Sequence, residues 1–220
     1  MFSQFLTHIG HSEKVLFMRV FIAALVLFFS IQSWTKADDI RDFQIEGISL
    51  GDSLLNYFDK DLIEAEKYNK YSLMYKNDKY VQIGASNNKS YKLNINSKTY
   101  DDLSIVLKTV DSTYKVYSVG GRIFCEDINA CKLKKKQIVS ELKIFLGDDV
   151  TIHNEDKNHG ADPTGNSKNY STYFNFKSSN DYVQVSIYDW AKKLKYRDNL
   201  KISIIGAEFR YFLENVQYNN

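Results

Sequence analysis

The sequence predicts an α+β protein made of tandem helix-plus-antiparallel-sheet units, each αβββ-like, joined into one continuous sheet or stacked as two. Three observations predict it. Apolar and polar residues alternate with a period of two through much of residues 71–124 and 173–212, the signature of half-buried strands. Two stretches, near residues 54–65 and after residue 127, instead repeat their apolar positions at helical spacing. Tyr (16 residues) and Phe (14) are abundant, and both favour pleated surfaces.

The chain divides into residues 1–37, 38–126 and 127–220. In the first part, Arg19 precedes an apolar run, Val20–Phe29, and Thr35-Lys36-Ala37 offers small residues before Asp38. That order predicts a secretory signal peptide, hence an exported, periplasmic or secreted protein. Met18 would be the better start, because Met18–Ala37 is a signal of ordinary length. The alternative is an uncleaved inner-membrane anchor, since residues 15–34 are long enough to cross a bilayer. Membrane contact is expected only in that case.

Lys14, Arg19 and Lys36 against Glu13 account for the whole net charge of +2. The remainder is electrically balanced, which argues against nucleic acid as a partner.

In the first unit, Phe43–Leu50 reads as a strand, and Gly51-Asp52-Ser53 breaks it and supplies an N-cap. Leu54, Leu55, Phe58, Leu62 and Ala65 would line the buried face of a helix, with Asp59-Lys60-Asp61 a place where it splits. Tyr71–Tyr75 and Lys79–Ala85 flank an Asn77-Asp78 turn. Leu103–Thr109 and Tyr114–Phe124 follow as strands, the latter bent at Gly120-Gly121.

The second unit opens with a helix capped by Asp127 or Asn129. Cys131, Ile138, Leu142 and Phe145 lie inward, and Gly147 ends it. Lys132, Lys134, Lys135 and Lys136 form a basic patch on its first turns, read as a solvated face. A short strand Val150–Ile152 then gives way to a polar loop, 153–169. Strands resume at Tyr173–Phe176, Tyr182–Trp190 and Leu200–Phe212, and the last eight residues read as an unpacked tail. Setting Tyr114–Phe124 over Leu200–Arg210 aligns Lys115 with Lys201 and Gly120 with Gly206, which suggests an internal repeat.

Several residues invite a chemical reading. Cys125 and Cys131 are the only cysteines; in an exported chain they predict a structural disulfide, and their spacing does not match a redox C-x-x-C. His153 and His159 are the nitrogen donors a zinc site would draw on, but a polar loop predicts plain solvation. The same loop fails the glycine and glutamate positions of a calcium EF-hand. No nucleophile elbow or phosphate cradle is present in the sequence, so no cofactor, metal or catalytic residue is expected. Trp190 and Tyr188 fall on the strand face opposite Val183, Val185 and Ile187, and are the expected ligand contacts.

Asp42–Phe58, DFQIEGISLGDSLLNYF, resembles small exported proteins of low-GC marine alphaproteobacteria, a likeness that brings no known activity. In element order alone the chain also resembles the helix-plus-sheet units of the outer-membrane lipoprotein BamE and of the β-lactamase inhibitory protein. That likeness implies binding rather than catalysis. The expected function is therefore a non-enzymatic periplasmic binding or envelope-interaction protein, its partner a protein or envelope component. Two alternatives stay open: a hydrolase of envelope polymers using carboxylates brought together by folding, and a single-pass membrane-anchored protein.

Overall fold

A computed structural model describes residues 40–218; the signal segment expected over residues 1–37 lies outside them. The segment expected as a first strand, Phe43–Leu50, is instead a tight turn: Ile45 and Ile48 bridge each other around Glu46 and Gly47, both at positive φ. Two consecutive residues in that region close a two-residue reversal. The alternation had a different cause, because Phe43, Ile45, Ile48 and Leu50 are all buried as the turn plugs into the core.

The following helix splits where expected. A short 3-10 turn, Leu54–Asn56, is capped by Ser53, and α1 spans Lys60–Lys67. The split rotates the buried face: Leu54 and Ile63 are buried and Phe58 packs against them, while Leu55, Leu62 and Ala65 face solvent. Glu66 at the end of α1 is wholly buried, where one carboxylate oxygen accepts from Lys92 N and Asn69 Nδ2. This ties the loops around it to the helix.

Four strands follow: β1 (Leu73–Met74), β2 (Tyr80–Ala85), β3 (Asp102–Lys108) and β4 (Val116–Phe124). The β1–β2 reversal falls on Asn77 and Asp78, both at positive φ, as the sequence indicates. Helix α2 (Ile128–Leu146) begins at Asp127, whose carboxylate accepts from Asn129 N and Ala130 N. Its buried residues are Cys131, Ile138, Leu142 and Leu146. The second set of strands is β5 (Val150–Asn158), β6 (Lys168–Phe176), β7 (Tyr182–Asp189) and β8 (Asn199–Ile205).

The polar loop expected from 153 to 169 is therefore strand over nearly half its length, residues 153–158 in β5 and 168–169 in β6. β5 is the outermost strand, exposed nearly throughout, so it has no apolar face for the sequence to reveal. Charged side chains such as Glu155, Asp156 and Lys157 suit an unpaired sheet edge. Only residues 159–167 form a loop, organised by Asp162, which accepts from the backbone and hydroxyls of Thr164 and Ser167.

All eight strands form one antiparallel sheet in the order β1-β2-β3-β4-β8-β7-β6-β5. Each unit is a helix followed by a four-stranded meander, and the two last strands, β4 and β8, pair at the centre. The letter-by-letter match of 114–124 with 200–210 does not mark this symmetry. It sets Val119 on Ile205, yet Val119 belongs to the core under the helices and Ile205 to a second cluster on the other face. The strand expected to run to Phe212 ends at Ile205, and Gly206 caps a short helix, α3 (Ala207–Phe212), with Asp181 accepting from Ala207 N. A further turn, Leu213–Gln217, continues it.

Helices α1 and α2 cover the same face: Ile63 and the α2 residues share one apolar core with the inward residues of β2, β3, β4, β6, β7 and β8. Helix α3 crosses part of the other face. There Phe209 and Phe212 bury Tyr75, Tyr80, Val106, Tyr117, Tyr182 and Ile205. The tail expected to be unpacked contributes to this cluster through Leu213 and Val216. Tyr117 joins it through a β-bulge where the β3–β4 register shifts beside Val106 and Leu107. The bulge lies there and not at Gly120-Gly121, which pair regularly with both neighbouring strands.

The disulfide is formed between Cys125, just beyond β4, and Cys131 in the first turn of α2, with Cα atoms 5.9 Å apart. It staples the second helix to the first meander. Among the described residues no helix is long and apolar enough to cross a membrane.

Candidate functional site

What α3 leaves uncovered on its face is a polar floor, laid out by strand register. One row of side chains across the sheet is Gly84, Ser104, Gly120, Ser203, Gln184 and Tyr173. The next is Asp102, Arg122, Lys201, Ser186 and Ser171. The third is Phe124, Asn199, Tyr188 and Asn169. Successive rows lie two residues apart, about 7 Å along the strands.

Small residues dominate the middle of this floor. Ser104, Ser171, Ser186 and Ser203 are all buried. Gly120 is needed for close packing: a Cβ there would fall 2.5 Å from Ser203 Oγ and 2.8 Å from Lys201 Cε. The Lys201 side chain thus lies across the glycine. On the helix side, a Cβ on Gly121 would fall 2.3 Å from the Tyr100 ring. The glycine pair is therefore flat strand with an occupant against each side, not a bend.

The charges sit in the second row. Arg122 Nε donates to Asp102 Oδ1 at 2.6 Å, while burial raises the pKa of the Asp102 carboxyl against the pull of Arg122. Lys201 is the cross-strand neighbour of Arg122. Burial, with the Arg122 guanidinium alongside, lowers its amine to about 8 while Asp102 works the other way. Among the described residues, Lys201 makes no hydrogen bond or ion pair.

At one end of the floor stands an aromatic corner. Trp190 packs against His159 with centroids 4.2 Å apart, lies nearly parallel to Tyr188 at 6.2 Å, and meets Tyr196 edge-on at 4.9 Å. The two expected contacts, Tyr188 and Trp190, thus share this corner and are half-buried. Burial pushes the Tyr188 phenol up to about 12 and lowers the His159 imidazole. The supporting loops are tied down: Trp190 N donates to Asp198 Oδ1 at 2.6 Å, and Ala191 N to Ser167 Oγ at 2.9 Å.

The histidine pair does not converge. His153 lies on β5 stacked beside Tyr173, and His159 follows the strand's end at Trp190. Six residues of extended chain separate them by about 20 Å, too far to share one ion. Among the described residues no group of three or more His, Cys, Asp or Glu could hold a metal. Of the α2 lysines, Lys132 packs over the Tyr170 ring and reaches Asp189 at 3.5 Å, and burial lowers the Lys135 amine. Part of that basic patch is thus half-buried packing rather than wholly solvated surface.

Sequence reasoning missed Asp102, Arg122, Asn199 and Lys201, which meet only through strand register. One signal was available: WAKKLKYR, 190–197, interleaves two aromatics with four cations. Of these, Arg197 reaches the floor: its guanidinium lies 3.9 Å from the ring centroid of Phe124, in the third row.

Compared with known proteins, the chain matches no family model, no curated protein and no solved structure.

Proposed function

We propose that the protein is an exported, non-enzymatic binding protein that takes its ligand on the uncovered sheet face, against Tyr188, Trp190 and Tyr196. The observation that carries this reading is the aromatic corner itself. Two half-buried rings, Tyr188 and Trp190, and the exposed Tyr196 stand beside a floor of hydroxyls and amides, which combines apolar contact with groups that fix orientation, the usual make-up of a ligand site. Export is supported by the signal-like N-terminus and agrees with a disulfide, which persists in oxidising compartments.

The hydrolase alternative draws less support. Asp102 and Glu155 stand at opposite ends of one side-chain row, five strand spacings apart. That is about 24 Å, against the roughly 5–9.5 Å between paired carboxyls in glycoside hydrolysis.

Trp190 is the one tryptophan beyond residue 37, so the fluorescence of a chain lacking residues 1–37 reports on this corner alone. Addition of solubilised envelope material should shift its emission, and Tyr188→Ala should abolish the shift while leaving the circular dichroism unchanged. No shift with the wild-type chain, or an equal shift with Tyr188→Ala, would overturn the proposal.

A further inference from the structure

The sheet ends in two edges of unequal length: β1 offers two residues and β5 nine, of which only Val150 is buried. β5 pairs with β6 in unbroken register, from Val150 with Phe176 to Asn158 with Lys168. Just beyond its ends, Asp149 O accepts from Lys177 N at 3.0 Å and His159 N donates to Ser167 O at 2.9 Å. In an antiparallel strand the N–H and C=O of one residue point to the same side, and the side alternates along the chain. Thr151, His153, Glu155 and Lys157 therefore bond to β6. Val150, Ile152, Asn154, Asp156 and Asn158 turn both backbone groups outward, and among the described residues no strand or loop backbone pairs with them.

A strand that pairs antiparallel with its own copy does so about a two-fold axis. Because only every second residue of β5 is open, the axis must pass through a residue rather than between two. With the axis at Asn154, Val150 meets Asn158 and all nine residues are opposed, so every outward N–H and C=O obtains a partner. The charges favour the same register. Glu155, held on its own strand by Lys157 at 2.8 Å, meets His153 of the second copy, Lys157 meets Thr151, and Asp156 meets Ile152. Moving the axis to residue 155 sets Glu155 against itself and His153 against Lys157. Moving it to 156 sets Asp156 against itself, and moving it to 153 sets His153 against itself. Like charges directly opposite destabilise a sheet, and each shift also leaves end residues unopposed. Edge charges discourage pairing with an arbitrary strand; on β5 they also discriminate between registers, since specificity is set partly by repulsion in the wrong arrangements.

We infer that β5 is an interaction surface for a second copy of this chain, pairing antiparallel with its β5 about a two-fold axis at Asn154. The two sheets then continue as one. Opposed residues point to the same face of a sheet, so both uncovered floors open on one side and both helix layers lie on the other. The inference does not depend on what the floor binds.

Sedimentation velocity of the chain lacking residues 1–37, which keeps every described residue, should show a monomer–dimer equilibrium. Asp156→Pro removes an outward N–H at two symmetry-related points of the joint. An edge strand tolerates proline where its N–H faces solvent, so this variant should keep its circular dichroism while the dimer weakens at least tenfold. The register is read separately. The pair of residue 153 with residue 155 of the second copy is not hydrogen-bonded, which brings its Cα atoms to about 4.5 Å, within disulfide range. Mixing His153→Cys chains with Glu155→Cys chains under oxidation should give a disulfide-linked dimer, and neither chain alone should. This mixture decides the matter even if the proline variant unfolds. A chain that stays monomeric up to about 1 mM would overturn the inference, whatever extended segment of another protein were then found on β5. Equal dimerisation of a folded Asp156→Pro chain, or single cysteine variants that cross-link as readily as the mixture, would overturn it as well.

Discussion

Arg122 and Asp102 face each other across β3 and β4, and the guanidinium Nε donates to the carboxylate at 2.6 Å. The pair is lopsided. Asp102 is buried, whereas the Arg122 side chain keeps about a third of its surface in solvent (33 %). Burial raises the Asp102 pKa, so ionisation favours the unfolded chain as pH rises from the ordinary carboxylate range to the raised folded value. Asp102→Asn removes that penalty together with part of the hydrogen bond, and the two effects oppose each other. Its unfolding free energy should change by less than about 1 kcal/mol. The Lys201 amine should fall further below its value of about 8, since Asp102 is the group holding it up. A lysine NMR titration measures that; an unchanged or raised amine would contradict the assignment.

The Cys125–Cys131 bond closes a short loop between strand and helix. Replacing both cysteines with serine should lower stability by about 2–2.5 kcal/mol on a chain-entropy estimate, as read by urea unfolding. The bond lies outside the uncovered floor, so ligand affinity should survive in the folded variant. A folded double-serine chain that loses its ligand would place the joint within the site.

Gly120 and Gly121 should respond differently to alanine. At Gly121 the added methyl meets the ring of buried Tyr100, and overpacking of that kind costs about 1–3 kcal/mol. At Gly120 the nearest obstacles include the Lys201 stem and two serine hydroxyls, of which the lysine stem is flexible enough to move. Gly120→Ala should therefore destabilise less and displace Lys201, visible as a change in that amine's titration. Equal losses of melting temperature with an unchanged lysine would count against this.

Local pattern was legible where one face of an element is buried and the other wet. It gave α2 with its Asp127 cap and Gly147 stop, the β1–β2 reversal, and the alternation of β7 that set Tyr188 and Trp190 opposite the valines. It misled in three situations. β5 at the sheet edge carries no apolar face, so a strand looked like a loop. Residues 43–50 alternate as a buried turn does by coincidence of spacing. Phe209 and Phe212 continue an apolar run after β8, yet lie on a helix whose start at Gly206 depends on Asp181. The floor itself was beyond reach, because Asp102, Arg122 and Lys201 become neighbours only through pairings of β3 with β4 and β4 with β8.

His159 gives the aromatic corner a pH dependence. Burial lowers the imidazole's folded pKa beneath its ordinary value of about 6.5, so the fold favours the neutral ring. Its contribution is complete above pH 6.5 and is lost as pH falls through the lowered folded value. Trp190, 4.2 Å away, should report this as a fluorescence transition below pH 6.5. His159→Gln should abolish that transition. A midpoint above 6.5 would mean that the corner stabilises the imidazolium instead, and that the ring has an acceptor on its outer side.

The second apolar cluster is the least expected feature of the fold, and it sets where the polar floor ends. Phe212 is buried at 1 % exposure against Tyr80, with centroids 4.9 Å apart, whereas its neighbour Tyr211 is 67 % exposed. Phe212→Ala should therefore cost about 3–5 kcal/mol, and Tyr211→Ala should stay within about 0.5 kcal/mol. The contrast removes helix propensity from the comparison, because both substitutions introduce alanine one residue apart. Equal melting temperatures for the two variants would mean that α3 is not anchored. Tyr80, Tyr117 and Tyr182 would then be open to ligand together with the serine floor.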